Sequence, residues 1–445
     1  MQTRQTSPVA NEWRNWGRTQ SCRPAAVARP SSVSHIQQLV GDAASRWGRV
    51  KVIGAGHSFT DIACTDGVQV SLDDYGEVLE VNGANNRVKV QAGIRLRDLN
   101  EALAREGLAM SNLGDIAYQS IAGAISTGTH GTGRAFGNLA TFVTELELVL
   151  ADGSVLRCAP DVDERTFKAA QVGLGALGIL STVTLQCEPA FNLRATEDAK
   201  KLDDVLDHLD ELFDTNEHFE FYWFPHTSRA WTKENNRTTD PPTPRRRWKE
   251  FQNDIVMSNL AFGAICRAGR RRPDAIPGLT RRFVAPGVGR IRRVSRSDLV
   301  YTSPRLVRFA EMEYAIPRSH AKDAIEGVRK LIDANDLKVN FPIEVRVVAP
   351  DDILLSPAHG RETCYIAVHM YQGMDYEPYF RAVESLMMSF DGRPHWGKLH
   401  FRDAASLRAS YPKWDDFIAV RDALDPRGLF RNAYLDRVLG PPSAT

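Results

Sequence analysis

A chain of 445 residues, 43% of them hydrophobic, can bury more than one core, which predicts two domains, or three, and excludes a disordered polymer. Its 56 basic residues are offset by 55 acidic ones, and the net charge of +1 excludes bulk attraction to nucleic acid or an anionic membrane, leaving only local patches. The six cysteines, Cys22, Cys64, Cys158, Cys187, Cys266 and Cys364, are dispersed without a C-x-x-C pair. That usage fits a reducing compartment and argues against a disulfide framework or structural zinc. The start, M-Q-T-R-Q-T-S-P-V-A-N-E-W-R-N-W, lacks the apolar run of a signal peptide, so a cytoplasmic protein is expected.

In chain order, a helix is predicted near 32–46 and a strand at 50–53, which enters V-I-G-A-G-H-S-F-T-D, residues 52–61. A Gly-x-Gly turn leaves room for backbone to approach a phosphate. Phe59, however, stands where a dinucleotide-binding motif needs its third glycine, no Gly-Lys-Ser/Thr follows, and the loop carries His57 at its tip. Strands at 68–72, 78–81 and 87–91 and a helix at 95–106 lead to a second glycine segment, residues 114–133. There Gly114, Gly123, Gly128, Gly131 and Gly133 lie among Ser120, Ser126, Thr127, Thr129 and Thr132, with no Lys or Arg before Arg134. Exposed N–H groups and hydroxyls could therefore bind an anion without cationic side chains. A strand at 143–150 meets a hairpin turn at 151–154. Residues 169–187 are uncharged over a span long enough to cross a bilayer, but their three glycines and β-branched second half predict a helix end, a turn and a buried strand.

Beyond residue 190 the sequence predicts a helix at 201–213, an aromatic strand at 218–225 and a polar, proline-rich loop at 238–249. Strands at 307–316, 341–348 and 363–371, with helices at 319–333 and 376–390, predict a sheet with helices on one face. Residues 267–296 hold ten arginines and one acid, Asp274. They read as a solvated surface or, more sharply, as a contact for an anionic membrane surface or an electron-accepting partner. Glu344 and Arg346 share one face of a strand, which on its own reads as a surface ion pair. His130 on its own reads as a hydrogen-bonded core histidine.

G-A-G-H-S, Q-S-I-A-G-A-I-S-T-G-T-H-G-T-G and G-L-G-A-L-G-I-L-S-T-V-T-L resemble, in this order, the FAD domain of the vanillyl-alcohol-oxidase superfamily. E-M-E-Y-A-I-P, P-I-E-V-R, C-Y-I-A-V-H-M-Y, R-P-H-W-G-K and D-P-R-G-L-F-R-N-A-Y-L-D-R-V-L-G resemble the sugar-1,4-lactone oxidoreductases, the L-gulono-1,4-lactone and D-arabinono-1,4-lactone oxidases or dehydrogenases, with alditol oxidases as near relatives. The resemblance runs from Trp13 to about Gly440. It implies an α+β, two-domain flavoprotein: a PCMH-type FAD-binding domain at 1–190, a sheet-and-helix substrate or cap domain at 191–420, and a segment at 421–445 that returns to the FAD domain.

The resemblance also implies site roles. FAD would be attached covalently through His57 at the 8-methyl group of the ring, with Ile53, Gly54, Ala55, Gly56 and Ser58 beside the cofactor. Gly114, Ser120, Gly123, Thr127, Gly128, Thr129, His130 and Gly131 would complete its cradle, with Ile179 and His395 as further contacts. No metal is implied. The catalytic set would be Glu344, accepting hydrogen bonds from sugar hydroxyls, Arg346, stabilising negative charge, and Lys398, a second cation near the oxidised hydroxyl. Ser120, His369 and Tyr371 would add substrate contacts. Arg346 and Lys398 are normally protonated, so no single general base can be chosen. The implied reaction is oxidation of an aldono-1,4-lactone by hydride transfer from C2 to flavin N5, L-gulono-1,4-lactone giving L-ascorbate through the 2-keto lactone. Oxygen, a quinone, a cytochrome or a dye would then take the electrons. An alditol oxidase on the same scaffold is the first alternative. A non-catalytic flavin electron carrier is the second, and the Glu344, Arg346 and Lys398 set argues against it.

Overall fold

The computed structural model describes residues 12–46, 48–244, 259–284, 290–303 and 305–442. Two cores organise these residues. The first is built on a three-stranded parallel sheet, ordered Ala26–Ala28, Val68–Ser71, Val50–Ile53, and a five-stranded antiparallel sheet, ordered Val155–Cys158, Val143–Val149, Ile179–Gln186, Arg87–Gln91, Val78–Asn82. Helix Val33–Arg46 buries Ile36, Leu39, Val40 and Ala43, the i, i+3, i+4, i+7 stripe of an amphipathic helix. The uncharged stretch at 169–187 is the end of helix Glu164–Gln171, a turn, and the buried strand Ile179–Gln186. Among the described residues no helix is long and apolar enough to cross a membrane.

The second core lies under one face of an eight-stranded sheet, ordered Ile291–Arg296, Asn192–Lys201, Arg229–Thr238, His218–Trp223, Ile343–Val348, Thr363–Tyr371, Phe309–Pro317, Arg393–Pro394. Successive strand side chains point to opposite faces. Met312, Tyr314, Ile343, Val345, Ile366 and Val368 therefore join helices Ala321–Ala334 and Glu377–Met388 in this core, while Glu311, Glu313, Glu344, Arg346 and His369 face the other way. The sequence reading passes over strands Asn192–Lys201, Arg229–Thr238 and Ile291–Arg296, whose mixed polar composition hides their alternation.

Three boundaries are corrected. The helix expected at 201–213 is two helices, Leu202–Asp207 and Leu209–Thr215, parted at His208, whose Nδ1 donates to the Asp204 carbonyl at 2.9 Å. The aromatic strand stops at Trp223, two residues before Pro225, and the strand expected from 341 begins at Ile343, after Pro342; a proline cannot donate to the ladder. Of the proline-rich loop, residues 245–249 lie outside the described residues.

Residues of helices Trp414–Leu424 and Ala433–Leu439 are buried in the first core. The segment between them docks on the parallel sheet, where the Val50 N–H donates to the Leu429 carbonyl at 2.8 Å. Lys51 Nζ donates to the carbonyls of Phe430 and Gly175, each at 3.1 Å.

Candidate active site

Strand Val50–Ile53 delivers the G-A-G-H-S loop, and a hairpin of strands Trp13–Arg14 and Ser21–Cys22 clamps it. The Trp16 N–H donates to the Gly56 carbonyl at 2.8 Å, Asn15 Nδ2 to that of Ser58 at 2.9 Å, and Thr19 Oγ1 to that of Phe59 at 2.7 Å. The Trp16 ring stacks on His57 with centroids 5.5 Å apart. Gly56 adopts φ 69°, a left-handed conformation that costs glycine little. Gly54 is where the two glycine segments meet: a Cβ there would lie 2.5 Å from Ser120 Oγ. Burial, with Lys398 and Arg95 nearby, lowers the His57 pKa to about 4, so the ring is neutral at pH 7.

Two cavities meet at this loop. A groove of about 890 Å³ is lined by Ile53, Gly54, Ala55, Gly56, Ser120 and Gly123, with Gly175, Gly178 and Leu180 across from them. A polar chamber of about 1010 Å³ opens beside it, and His57, Ser58, Gln119 and Thr127 line both. The groove fits a dinucleotide: glycines and small hydroxyl residues offer N–H and O–H groups to its phosphates, apolar side chains such as Ile62, Leu72 and Leu174 line the rest, and Lys51, the one lysine or arginine lining it among the described residues, is committed to two carbonyls.

Several of the residues expected beside the cofactor do not line the groove. Ile179 is fully buried in the first core, because its neighbours Gly178 and Leu180 take the groove-facing positions. Gly128 packs near Pro357 and Val172, and Gly131 against Asn112 and Leu113, so both shape the segment from behind. Gly114, Thr129, His130 and His395 line the chamber. Ser120 lines the groove and not the chamber, with its Oγ capping helix Ile121–Ser126 at the Gly123 N–H, 3.2 Å away.

The chamber also brings together Glu344, Arg346, His369 and Lys398. Arg346 Nε donates to Glu220 Oε2 at 2.6 Å and its Nη2 to Glu344, so Glu344 and Arg346 are indeed ion-paired, but nearly buried. Lys233 pairs with the other Glu220 oxygen at 3.0 Å, and Tyr222 Oη lies 3.3 Å from both carboxylates. Burial would raise the Glu220 carboxyl, but Arg346 and Lys233 outweigh it and bring it down to about 2. Glu344 goes the other way: burial, helped by the charge of Glu220, outweighs Arg346 and raises it. Two carboxylates share one guanidinium, and the one without a lysine keeps the greater affinity for a proton.

Lys398 Nζ pairs with Glu311 at 2.5 Å, and His369 Nε2 lies 3.4 Å from the same carboxylate while its Nδ1 donates to the Pro342 carbonyl at 2.9 Å. Burial works against both charges of the Lys398–Glu311 pair, yet their attraction prevails: Glu311 falls to about 2 and Lys398 rises, staying cationic. His130 lies with Nε2 3.2 Å from Glu313, donates Nδ1–H to Gly131, and stacks on Tyr365 with centroids 3.6 Å apart. His130, Glu313 and His395 have ligand atoms within 4.8 Å of one another. His395 Nδ1, however, accepts the Gly397 N–H at 3.0 Å, which places its ring proton on Nε2. Burial lowers His395 to about 3.

Tyr371 is outside both cavities, beside Phe341 and under the Arg270 guanidinium, because its strand has left the chamber by that point. The sequence reading missed Glu220, Tyr222, Glu311, Glu313, Asp115 and Arg305. The acids of E-M-E, alternating with Met312 and Tyr314 on a strand, carried a signal. The Asp115–Arg305 pair, 2.6 Å apart and joining segments remote in sequence, carried none.

The family model described as D-arabinono-1,4-lactone oxidase matches residues 183–438, and an FAD binding domain model matches residues 24–159. An L-gulono-1,4-lactone dehydrogenase of Mycobacterium tuberculosis is 45% identical over 435 residues, covering 98% of this chain and 100% of the relative. An L-gulonolactone oxidase of Bos taurus is 36% identical and an alditol oxidase of a Streptomyces species 35% identical, each covering 96% of this chain and 98% of the relative. The crystal structure of a cholesterol oxidase from B. sterolicum superposes with a TM-score of 0.81 over 98% of both chains at 18% identity, a likeness of fold alone.

Proposed function

The chain belongs to the D-arabinono-1,4-lactone oxidase family, and from that footing we propose that it oxidises an aldono-1,4-lactone at C2, with L-gulono-1,4-lactone as the leading substrate. It is an FAD-dependent oxidoreductase acting on CH–OH groups. The observation that carries the reading is the junction: a glycine-walled groove and a polar chamber share His57, and the chamber holds Glu344, Arg346 and Lys398.

Bound FAD supplies a hydride acceptor for C2. The groove residues Gly54, Ala55, Gly56, Ser58 and Gly123 would hold its phosphates, and His57, neutral at pH 7, is the nucleophile suited to the covalent attachment. Glu344 would orient the sugar hydroxyls and, with its raised affinity for protons, take the proton of the C2 hydroxyl. Arg346 and Lys398 would hold the negative charge that develops as that proton leaves. His369 would contact the sugar from the same wall.

For the electron acceptor, we place an anionic partner or membrane surface against the arginines of helix Phe262–Arg271 and residues 281–296; Phe262 of that helix lines the chamber. Residues 285–289 of this region lie outside the described residues.

The test is anaerobic mixing of purified holoenzyme with L-gulono-1,4-lactone or with xylitol at equal concentration. Faster bleaching of the flavin by the lactone is expected; faster bleaching by xylitol would favour the alditol reading suggested by the 35% identical relative. Glu344→Ala should keep its yellow colour but bleach about 100-fold more slowly. On a denaturing gel, flavin fluorescence should stay with the wild-type polypeptide and be absent from His57→Ala. Wild-type protein that sheds all its flavin would end the covalent assignment.

A further inference from the structure

We propose that Cys22 and Cys64 form a reversible dithiol–disulfide site that ties the amino-terminal hairpin to the loop carrying His57. The two lie far apart in sequence, and the fold runs their segments side by side. Strand Ala26–Ala28 runs parallel to Val68–Ser71 in the register Ala26↔Val68, Val27↔Gln69, Ala28↔Val70, a constant offset of 42 residues. The pairing continues backwards, with the Ala25 N–H donating to the Gly67 carbonyl at 2.9 Å. Cys22 and Cys64 have that same offset. The ladder itself begins four residues further on, at Ala26 and Val68, where neighbouring strands lie about 4.8 Å apart, close to the Cα separation of roughly 5.5 Å that a disulfide spans. Burial, with Cys22 close by, holds the Cys64 thiol well above its ordinary pKa.

Access separates this pair from the other cysteines. Cys22 and Cys64 are half-buried, whereas Cys158, Cys187, Cys266 and Cys364 are buried. The backbone on both sides is also pinned: Cys22 pairs with Trp13 in the hairpin, and Asn432 Nδ2 donates to the Cys64 carbonyl at 2.8 Å.

The chemistry needs a two-electron oxidant, for which hydrogen peroxide suffices. The Cys22 thiolate attacks one peroxide oxygen, forming a sulfenic acid and releasing hydroxide. Cys64, held protonated by burial, is the resolving thiol: the hydroxide takes its proton and becomes the first water, the Cys64 sulfur displaces the sulfenic oxygen as hydroxide, and that hydroxide recovers the proton Cys22 gave to solvent on ionising and becomes the second. Two thiols and one peroxide give one disulfide and two waters. The hairpin already holds the loop through Gly56, Ser58 and Phe59, and its Trp13 lines the groove. The bridge would lock that wall in place and restrict passage of a dinucleotide.

The holoenzyme is treated with hydrogen peroxide, mapped by mass spectrometry without reduction, and melted. The expected result is a cross-linked Cys22–Cys64 peptide pair that dithiothreitol separates, with a melting temperature raised by about 4 °C. Cys22→Ser and Cys64→Ser should each abolish both signals. In His57→Ala, whose flavin is free to leave, oxidation should slow flavin release several-fold. Cys22 and Cys64 oxidised separately without a cross-link, or a cross-link with no rise in melting temperature, would overturn the proposal.

Discussion

At Gly54 one hydrogen atom is what the fold has room for. A Cβ there would press on Ser120 Oγ, which caps helix Ile121–Ser126 through the Gly123 N–H. Gly54→Ala must therefore displace the cap, at about 1 kcal/mol, and push the two glycine segments apart where a cofactor would lie. Reduced flavin content and a lower urea midpoint are expected. The double variant Gly54→Ala, Ser120→Ala removes the clash, since only Ser120 Cβ, 3.6 Å away, remains. It should be no less stable than Ser120→Ala alone, and strict additivity in the cycle would refute the contact. At this scale the sequence was informative where chemistry is local: a histidine beside two glycines stands out. It said less about orientation, and Ile179 shows why. A strand residue and its neighbour differ only in which face they present, and a run as apolar as G-I-L-S-T-V does not say which face is the groove.

Between elements, the chamber depends on charges carried by different strands. Glu220 on His218–Trp223 holds Arg346 on Ile343–Val348 and Lys233 on Arg229–Thr238. Its carboxyl is lowered from 4.5 to about 2, so the stability it gives is present in full above pH 4.5 and is lost as pH falls towards 2. Glu220→Gln leaves Lys233 without its carboxylate, and a loss of about 3 kcal/mol is expected at pH 7, shrinking on acidification below 4.5. The same change acts on Glu344. It removes a negative neighbour that raises the Glu344 carboxyl and leaves Arg346 to Glu344 alone, so that carboxyl should fall. A step that needs ionised Glu344 fails when pH drops through its pKa; the acid limb of kcat/KM should therefore move to lower pH in the variant. A limb that stays put would show that Glu344 is not the group it reports. Period-two alternation made each strand's two faces legible, and with them Glu344 with Arg346. Which strands lie side by side was not legible, because pairing between residues 220 and 346 leaves no local trace. Asp115 and Arg305 were missed for the same reason.

On the scale of the whole molecule, the carboxyl-terminal segment anchors the chain just beyond the histidine loop. Asn432 Nδ2 donates to the carbonyls of Asp61, Ile62 and Cys64 at 3.1, 3.1 and 2.8 Å, and Asn432 Oδ1 caps helix Ala433–Leu439 at the Leu435 N–H. Those three carbonyls follow directly on the loop that carries His57, so one side chain from the end of the chain fixes where the histidine loop ends. Nothing in the local pattern of R-N-A-Y-L-D says which loop it will meet; the contact exists only once both halves have folded. Asn432→Ala should cost about 3 kcal/mol, one part for the lost cap and the rest for buried carbonyls left without a donor. The loss alone would not separate packing from placement of the histidine. Flavin attachment does: if the segment positions the loop, the fraction of polypeptide carrying fluorescent flavin on a denaturing gel should fall in Asn432→Ala at a temperature where the variant is still folded. Lys322→Ala, which removes an exposed ion pair on the far side of the sheet, should leave both stability and attachment near wild type. Full attachment in Asn432→Ala despite a lowered urea midpoint would reduce the segment's part to holding the core together.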